Sequence, residues 1–288
     1  MTDSLLFRAP VSEDELPDEI YRAICQLVLD YSGLSFGDNS KFIVQKRVAK
    51  RMAALQEDDY QKYYYHLLYD RDGHRELDQL VELLTTGETY FFREMNQLNA
   101  FIHEILPEIM DADAAREKRN LKIWSAGCAS GEEPYTLAAL LLEKSLPSEW
   151  NIEIFGSDIN RALLHQARAG VYRENSFRAT DDYFRAKYFE RIDDKTHRIR
   201  DEVKKYVTFG WVNLYDVRRP LIFGEVDVVF CRNVIIYFDK AGKKRVIDSL
   251  YERLRPGGFL MLGHSESLLN VSTKFRLRHF KHDMVYQK

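Results

Sequence analysis

The stretch LKIWSAGCASGEEP, Leu121 to Pro134, decides how this 288-residue chain is read. Leu121–Trp124 is a short apolar run of the kind that forms a buried strand. Small residues follow, with Gly127 and Gly131 able to take positive φ and let the backbone pass close to a ligand. Pro134 suits the first turn of a helix, and PYTLAALLLEK continues as one. A strand, a small-residue loop and a helix in that order open a parallel sheet covered by helices.

The same unit recurs downstream: IEIFGSD precedes NRALLHQARAG, VDVVFCRN precedes a helix after Asp239, and GGFLMLG is a further strand. Such alternation predicts an α/β doubly wound sheet. The C-terminal FRLRHFKHDMVYQK carries two β-leaning runs without a helix between them, so they are expected to pair as an antiparallel edge. Between Gly170 and Tyr206 the alternation stops. That polar, aromatic stretch is read as a small inserted β subdomain over about residues 171–205. The charged patch DADAAREKRN, ahead of the first strand, is read as a solvated connection.

Upstream the pattern is helical only. Ile20, Ile24, Leu27, Val28 and Tyr31 recur at helical spacing, with Gly33 placed to end the segment. Asn39 or Ser40 can cap a second helix carrying the stripe Val44, Val48, Met52 and Leu55. Leu77, Leu80, Val81 and Leu84 mark another. The expected domains are an all-α unit over 1–90 and a larger α/β unit over 91–288.

Bulk properties exclude several classes. A net charge of −3 and a pI near 6.3 give no global nucleic-acid signature. Cys25, Cys128 and Cys231 show no metal-ligand spacing, so no metal is expected. The N-terminus lacks the features of a signal peptide, and no apolar stretch reaches membrane-spanning length. A cytoplasmic protein that does not enter the membrane is the expectation, monomeric because no apolar repeat demands a partner.

The loop after the first strand is not the G-x-G-x-x-G fingerprint of dinucleotide binders. Glu132 and Glu133 instead stand at a helix N-terminus, where carboxylates would repel a diphosphate but suit a positively charged amine and sulfonium. Asp158 closes the second strand, where an acid can accept hydrogen bonds from ribose hydroxyls. Each residue alone can be a turn or a cap; together they favour S-adenosylmethionine (SAM) over NAD. Asn233 stands at another strand's carboxyl end, and Tyr237 follows it, either beside a substrate or packed. In TTGETYFFR (85–93), Arg93 follows three aromatics, so its guanidinium can either emerge from a packed wall and hold a carboxylate in bidentate geometry or be an ordinary surface charge.

Six strings in this order, TGETYFFR, IWSAGCASGEEPYTLA, FGSDIN, VNL at 212–214, FCRNVIIYF and LRPGGFLMLGHSE, resemble the CheR chemotaxis methyltransferases, which esterify glutamate side chains of bacterial chemoreceptors. The likeness runs from about residue 15 to the C-terminus. It implies a SAM-methyltransferase Rossmann-like fold preceded by the all-α domain. It also implies that Thr89 and Arg93 line the cleft, that Ala126 and Glu132 meet the methionine end of SAM, and that Asp158 binds the ribose. Asn213 and Leu214 would flank the adenine, Asn233 and Val234 would complete the pocket, and Tyr237 would face the transferred methyl. Lys46, Arg47 and Lys50 lie roughly opposite the second helix's apolar stripe and Arg51 borders them; alone such a run reads as a solvated face, but with the resemblance it would dock the cytoplasmic helical domain of a chemoreceptor. Some members grip a receptor's tail peptide with a glycine-bearing loop. The equivalent stretch here, Arg191 to Arg200, has no glycine, so a tethering peptide is not expected to be needed. Two other readings are a SAM enzyme with a small-molecule or RNA acceptor and a regulator that binds SAM without transfer.

Overall fold

The computed structural model describes residues 15–114, 119–216 and 224–288. The expectations for the first fourteen residues, and residues 115–118 of the DADAAREKRN patch, lie outside them. Two compact units divide between Thr86 and Gly87.

Among the described residues, the first unit holds four α-helices: α1 (Asp18–Ser32), α2 (Lys41–Leu55), α3 (Tyr60–Tyr69) and α4 (Gly73–Leu84). Gly33 ends α1 at φ 77°, its N–H returning to the Leu29 carbonyl. A 3₁₀ turn, Asp38–Ser40, leads into α2, and Ser40 makes no side-chain cap. Asp59 caps α3 by accepting from the Gln61 and Lys62 amides. Val44, Val48, Met52, Leu77, Leu80, Val81 and Leu84 are all buried, whereas Leu55 is 38% exposed at the end of α2.

Arg51 departs from its expected place on the exposed face. Its Nε and Nη2 donate to the two carboxylate oxygens of Glu76 at 2.8 and 2.6 Å, and the Tyr63 hydroxyl adds a third bond at 2.9 Å. Glu76 is 4% exposed, so this is an internal ion pair between α2 and α4. Lys46, Arg47 and Lys50 do lie exposed.

The second unit begins with α5 (Met95–Ala100), which runs through a π-helical turn, Phe101–Ile105, into α6 (Leu106–Ala114). The alternating part follows: β1 (Asn120–Ala126), α7 (Glu132–Glu143), β2 (Asn151–Asp158) and α8 (Arg161–Ala169). The insertion comprises β3 (Val171–Arg173), α9 (Asp182–Tyr188), β4 (Phe189–Arg191), β5 (Thr196–Ile199) and the short α10 (Asp201–Lys204). Then come β6 (Val207–Trp211), β7 (Val226–Cys231), α11 (Lys240–Arg253), β8 (Leu254–Leu262), β9 (Arg276–His279) and β10 (Met284–Gln287).

The main sheet has the order β6-β2-β1-β7-β8-β10-β9, and the insertion forms a separate antiparallel sheet, β3-β5-β4. The first five strands of the main sheet are parallel, and β10 and β9 add an antiparallel edge. The chain builds outward from β1 through β2 to β6, then restarts on the other side of β1 with β7. Open α/β sheets bind ligands at such a reversal, outside the carboxyl ends of the strands.

Alternation within the strands feeds two cores. Ile123, Val228, Phe230, Phe259 and Met261 face one side with Phe101, Ile105 and Leu137. Trp124, Val229, Cys231, Leu260 and Leu262 face the other with Val246, Ile247 and Leu250 of α11. Both faces are covered, which is why these strands read as nearly unbroken apolar runs.

Three elements differ from the sequence expectation. β6 and the long α5–α6 helix were not anticipated. The DADAAREKRN patch is not wholly a solvated connection: residues 111–114 are helical, and Asp113 is fully buried. Its carboxylate accepts from Arg255, which also pairs with Asp227 at 2.6 Å, while Asp227 accepts the Lys122 amide at 2.6 Å. No helix among the described residues is long and apolar enough to cross a membrane.

Removing one partner of a buried ion pair strands the other charge. Glu76→Leu alone should therefore destabilise the chain by about 3 kcal/mol in urea denaturation, and adding Arg51→Met should recover most of the loss. Equal instability of the single and double variants would show that packing, not the stranded guanidinium, sets the cost.

Candidate functional site

The loop leaving β1 is anchored on the end of β2. Gly127 at φ 81° and Cys128 both donate their N–H to the Ser157 carbonyl at 2.8 Å. Ala129, at φ 47°, donates to Asp158 Oδ2 at 2.8 Å, and the Asn160 amide donates to Oδ1 at 2.8 Å. These two bonds orient the Asp158 carboxylate. Gly131 opens α7 at φ 92°, where a Cβ would come within 2.8 Å of Ala167 Cβ.

The loop after β7 closes over the loop after β1. A Cβ at Gly127 would lie 2.4 Å from Val234 Cγ2, so glycine is required for the two loops to meet. Asn233 takes a left-handed φ of 58°. Glu266 gathers four backbone amides around this turn: Gly263 at 2.7 Å, Asn233 at 2.8 Å, Val234 at 2.9 Å and Ile236 at 3.2 Å. The Asn233 side-chain oxygen is buried and has no partner among the described residues.

Two acids occupy the N-terminus of α7. Glu132 is 1% exposed and accepts from Ser130 at 2.7 Å and Ser176 at 2.9 Å. Glu133 accepts from Ser125 at 2.6 Å and from Arg232 Nη1 at 3.2 Å. Burial raises the pKa of both carboxyls, against the pull of the two serines on Glu132 and of Arg232 on Glu133.

Arg93 projects from an aromatic wall. Phe91 packs against Tyr172, Phe177 and Phe189, and Phe92 against Phe184. The Phe92 amide donates to Thr136 at 3.2 Å, tying this segment to α7. Phe92 and Glu94, on either side of Arg93, both sit at left-handed φ, 59° and 56°. Non-glycine residues in that region mark backbone held by its surroundings, commonly at functional sites. The Arg93 guanidinium is held loosely: one bond to the Glu88 carbonyl at 3.3 Å, Glu94 Oε1 at 3.9 Å, and the Tyr90 ring 5.4 Å from Cζ.

The cofactor and transfer residues singled out from the sequence come from the carboxyl ends of β1, β2, β6 and β7 and from the segment before α5, whereas the docking candidates lie on α2. Thr89 is half-buried and Ala126 buried. Asn213 follows β6, is buried, and accepts the Tyr215 amide at 3.0 Å; Leu214 packs on the second core. Tyr237 ends a 3₁₀ turn, Ile235–Tyr237, and is 38% exposed. Sequence reading missed Arg232, Glu94 and Glu266. A charge directly after the six wholly buried residues of β7 was the available signal for Arg232.

Cys128 and Cys231 are buried, and burial pushes both thiols well up, so neither is a ready nucleophile. His264 is exposed, with its backbone amide on Glu94 at 3.2 Å. Among the described residues one group has metal-ligand proximity, His66, Asp70 and Asp72 at the α3–α4 turn of the first unit.

Acidic groups at a helix N-terminus, an oriented carboxylate on the next strand and an unpartnered amide oxygen form a set of acceptors that fits a cationic, ribose-bearing cofactor rather than a diphosphate. Together with the strand order, they define a Rossmann-like, SAM-binding methyltransferase. Residues 87–284 match the SAM-binding domain of CheR methyltransferases and residues 19–85 their all-alpha domain, and the chain belongs to that family. It is 34% identical over 258 residues to chemotaxis protein methyltransferase 2 of Vibrio cholerae, covering 89% of this chain and 88% of that one. It is 33% identical over 268 residues to the chemotaxis protein methyltransferase of Salmonella typhimurium, covering 91% and 88%. The Borreliella burgdorferi protein of the same name is 31% identical, covering 87% and 88%.

Each amide gathered by Glu266 loses its acceptor if that carboxylate is removed, and an orphaned donor costs about 1–3 kcal/mol when buried. Because the site is partly open, Glu266→Ala should destabilise by about 3 kcal/mol in total and weaken SAM binding about tenfold. Thermal melts with and without SAM measure both. A variant that keeps wild-type affinity would show that the Asn233–Ile236 turn holds its shape without this carboxylate.

Proposed function

We propose that this protein transfers the methyl group of SAM to glutamate side-chain carboxylates of chemoreceptors, forming methyl esters during sensory adaptation. The observation that carries the reading is the loosely held Arg93 guanidinium beside a set of acceptors suited to SAM. A guanidinium has five N–H donors, and among the described residues Arg93 makes one hydrogen bond, at 3.3 Å. The names of the bacterial relatives support a role in chemotaxis.

SAM, when bound, supplies an electrophilic methyl group on a sulfonium. Ala126 and Glu132 would hold its methionine end, Asp158 its ribose, and Asn213 with Leu214 its adenine. Thr89, Asn233 and Val234 would complete the pocket. A glutamate acceptor, with a pKa of about 4.3, is ionised at neutral pH and needs no general base. Arg93 orients that carboxylate and Tyr237 faces the methyl, so the work of the site is alignment and exclusion of water. Arg93 must not grip too strongly, because transfer neutralises the charge it holds.

Docking falls to α2. Lys46, Arg47 and Lys50 present an exposed basic face suited to the acidic target region of a receptor's helical domain, while Arg51 is occupied by Glu76. The β4–β5 turn needs no glycine: the Asp193 side chain accepts the Lys195 and Thr196 amides at 2.7 and 2.9 Å. We therefore keep the expectation that a receptor tail peptide is dispensable, with the enzyme acting as a cytoplasmic monomer without a metal.

Receptor membranes incubated with methyl-labelled SAM should acquire label that mild base releases as methanol. Base-stable label would move the chain to nitrogen or carbon methylation. Arg93→Ala should lower turnover about 10²-fold while SAM affinity largely survives; parallel loss of both would assign Arg93 to the cofactor. Receptor binding should weaken about tenfold on charge reversal of Lys46, Arg47 and Lys50, and should fall with salt. The same titration with an isolated tail peptide should show no binding. Salt-independent receptor binding would remove α2 from docking, and measurable peptide binding would restore a tether.

A further inference from the structure

If Arg93 receives the acceptor carboxylate, its neighbour Glu94 is a built-in competitor. Glu94 Oε1 already lies 3.9 Å from Arg93 Nε, beyond hydrogen-bond reach but close enough to attract it. A bidentate Arg93–Glu94 pair would occupy the donors the acceptor needs. Arg232 stands against that collapse. Its side chain is 3% exposed, and Nη2 donates to the Arg93 carbonyl at 2.6 Å and to Glu94 Oε2 at 3.3 Å. Nη1 meets Glu133 at 3.2 Å, fixing the guanidinium from the other side. The same Glu94 oxygen accepts the His264 amide at 3.2 Å.

We propose that Arg232 is a positioning residue that keeps Arg93 open to an incoming carboxylate, by fixing the Arg93 carbonyl and holding the Glu94 carboxylate to itself. The inference rests on the methyl-transfer reading of Arg93. The charges explain why one buried arginine can do this. Arg232 faces two carboxylates, Glu94 and Glu133, which offset its charge in a dry environment, although its buried Nε has no partner among the described residues. Arg93 is 29% exposed on its side chain and carries only weak contacts. Without Arg232, Glu94 would keep a single amide donor, and the nearest cation to satisfy it would be Arg93.

The test compares R232Q, E94Q and R232Q/E94Q in the full chain. It measures SAM affinity by calorimetry, the KM for receptor and the Arg93 Nε–H resonance, assigned by its loss in R93K. R232Q should raise the receptor KM about tenfold, keep SAM affinity within about threefold, and move the Arg93 resonance to an ion-paired position. In R232Q/E94Q both should return most of the way, although that variant has lost more contacts than R232Q. A merely structural Arg232 gives no such rescue, so a double variant as impaired as R232Q, or an unmoved resonance, overturns the proposal. Should R232Q not fold, E94Q alone decides: a receptor KM about two- to threefold lower supports the proposal, and a higher one overturns it. If the wild-type protein forms no base-labile ester, the methyl-transfer reading fails, while the resonance still reports whether Glu94 closes on Arg93.

Discussion

The meeting of the β1 and β7 loops at the reversal of strand order is the constraint on which the rest of the second unit depends. Val234 lies where a side chain on Gly127 would have to go, and Arg232 joins the end of β7 to Glu133 at the start of α7. The elements on either side of the reversal are thereby locked together at one edge. The sheet itself is braced by side chains on both faces.

That bracing has an electrostatic character set by burial. Glu132 and Glu133 are withdrawn from water, which raises their pKa values, and serine hydroxyls and one guanidinium offset part of the penalty. A dry acidic pocket attracts a cation more strongly than a wet one, since the local dielectric is lower. Burial and recognition are in this sense one property of the helix N-terminus.

Much of this was legible in local sequence. The strand–loop–helix of β1 and α7 could be read because its signals, an apolar run, two glycines and Pro134, lie within fourteen residues. The antiparallel edge of β9 and β10 was legible for the same reason. β6 was missed because Val207–Trp211 is an edge strand, mostly half-buried and interrupted by Gly210, so it lacks the unbroken apolar run of its neighbours. Arg51 borders the apolar stripe of α2 and looked exposed, because its partner Glu76 lies 25 residues away on another helix. Glu94 and Arg232 are 138 residues apart, and Glu266 and Asn233 are 33. No periodicity within a helix or strand reports a partnership at those separations. The polar, aromatic insertion could be seen as an interruption, but the pairing β3-β5-β4 could not be read from it.

At the edge of the sheet opposite the cleft, Asp227 holds the Lys122 amide and Arg255, and Arg255 holds Asp113. β1 and β7 are therefore pinned at both ends, by these charges at one and by the loop contacts of Gly127 and Val234 at the other. Between such pins a strand behaves as a ruler. One residue inserted or deleted between Lys122 and Gly127, or between Asp227 and Arg232, would reverse the facing of every side chain beyond it and detach one anchor or the other. Substitutions can alter the chemistry of the cleft, but changes of length in these two strands are closed to this architecture.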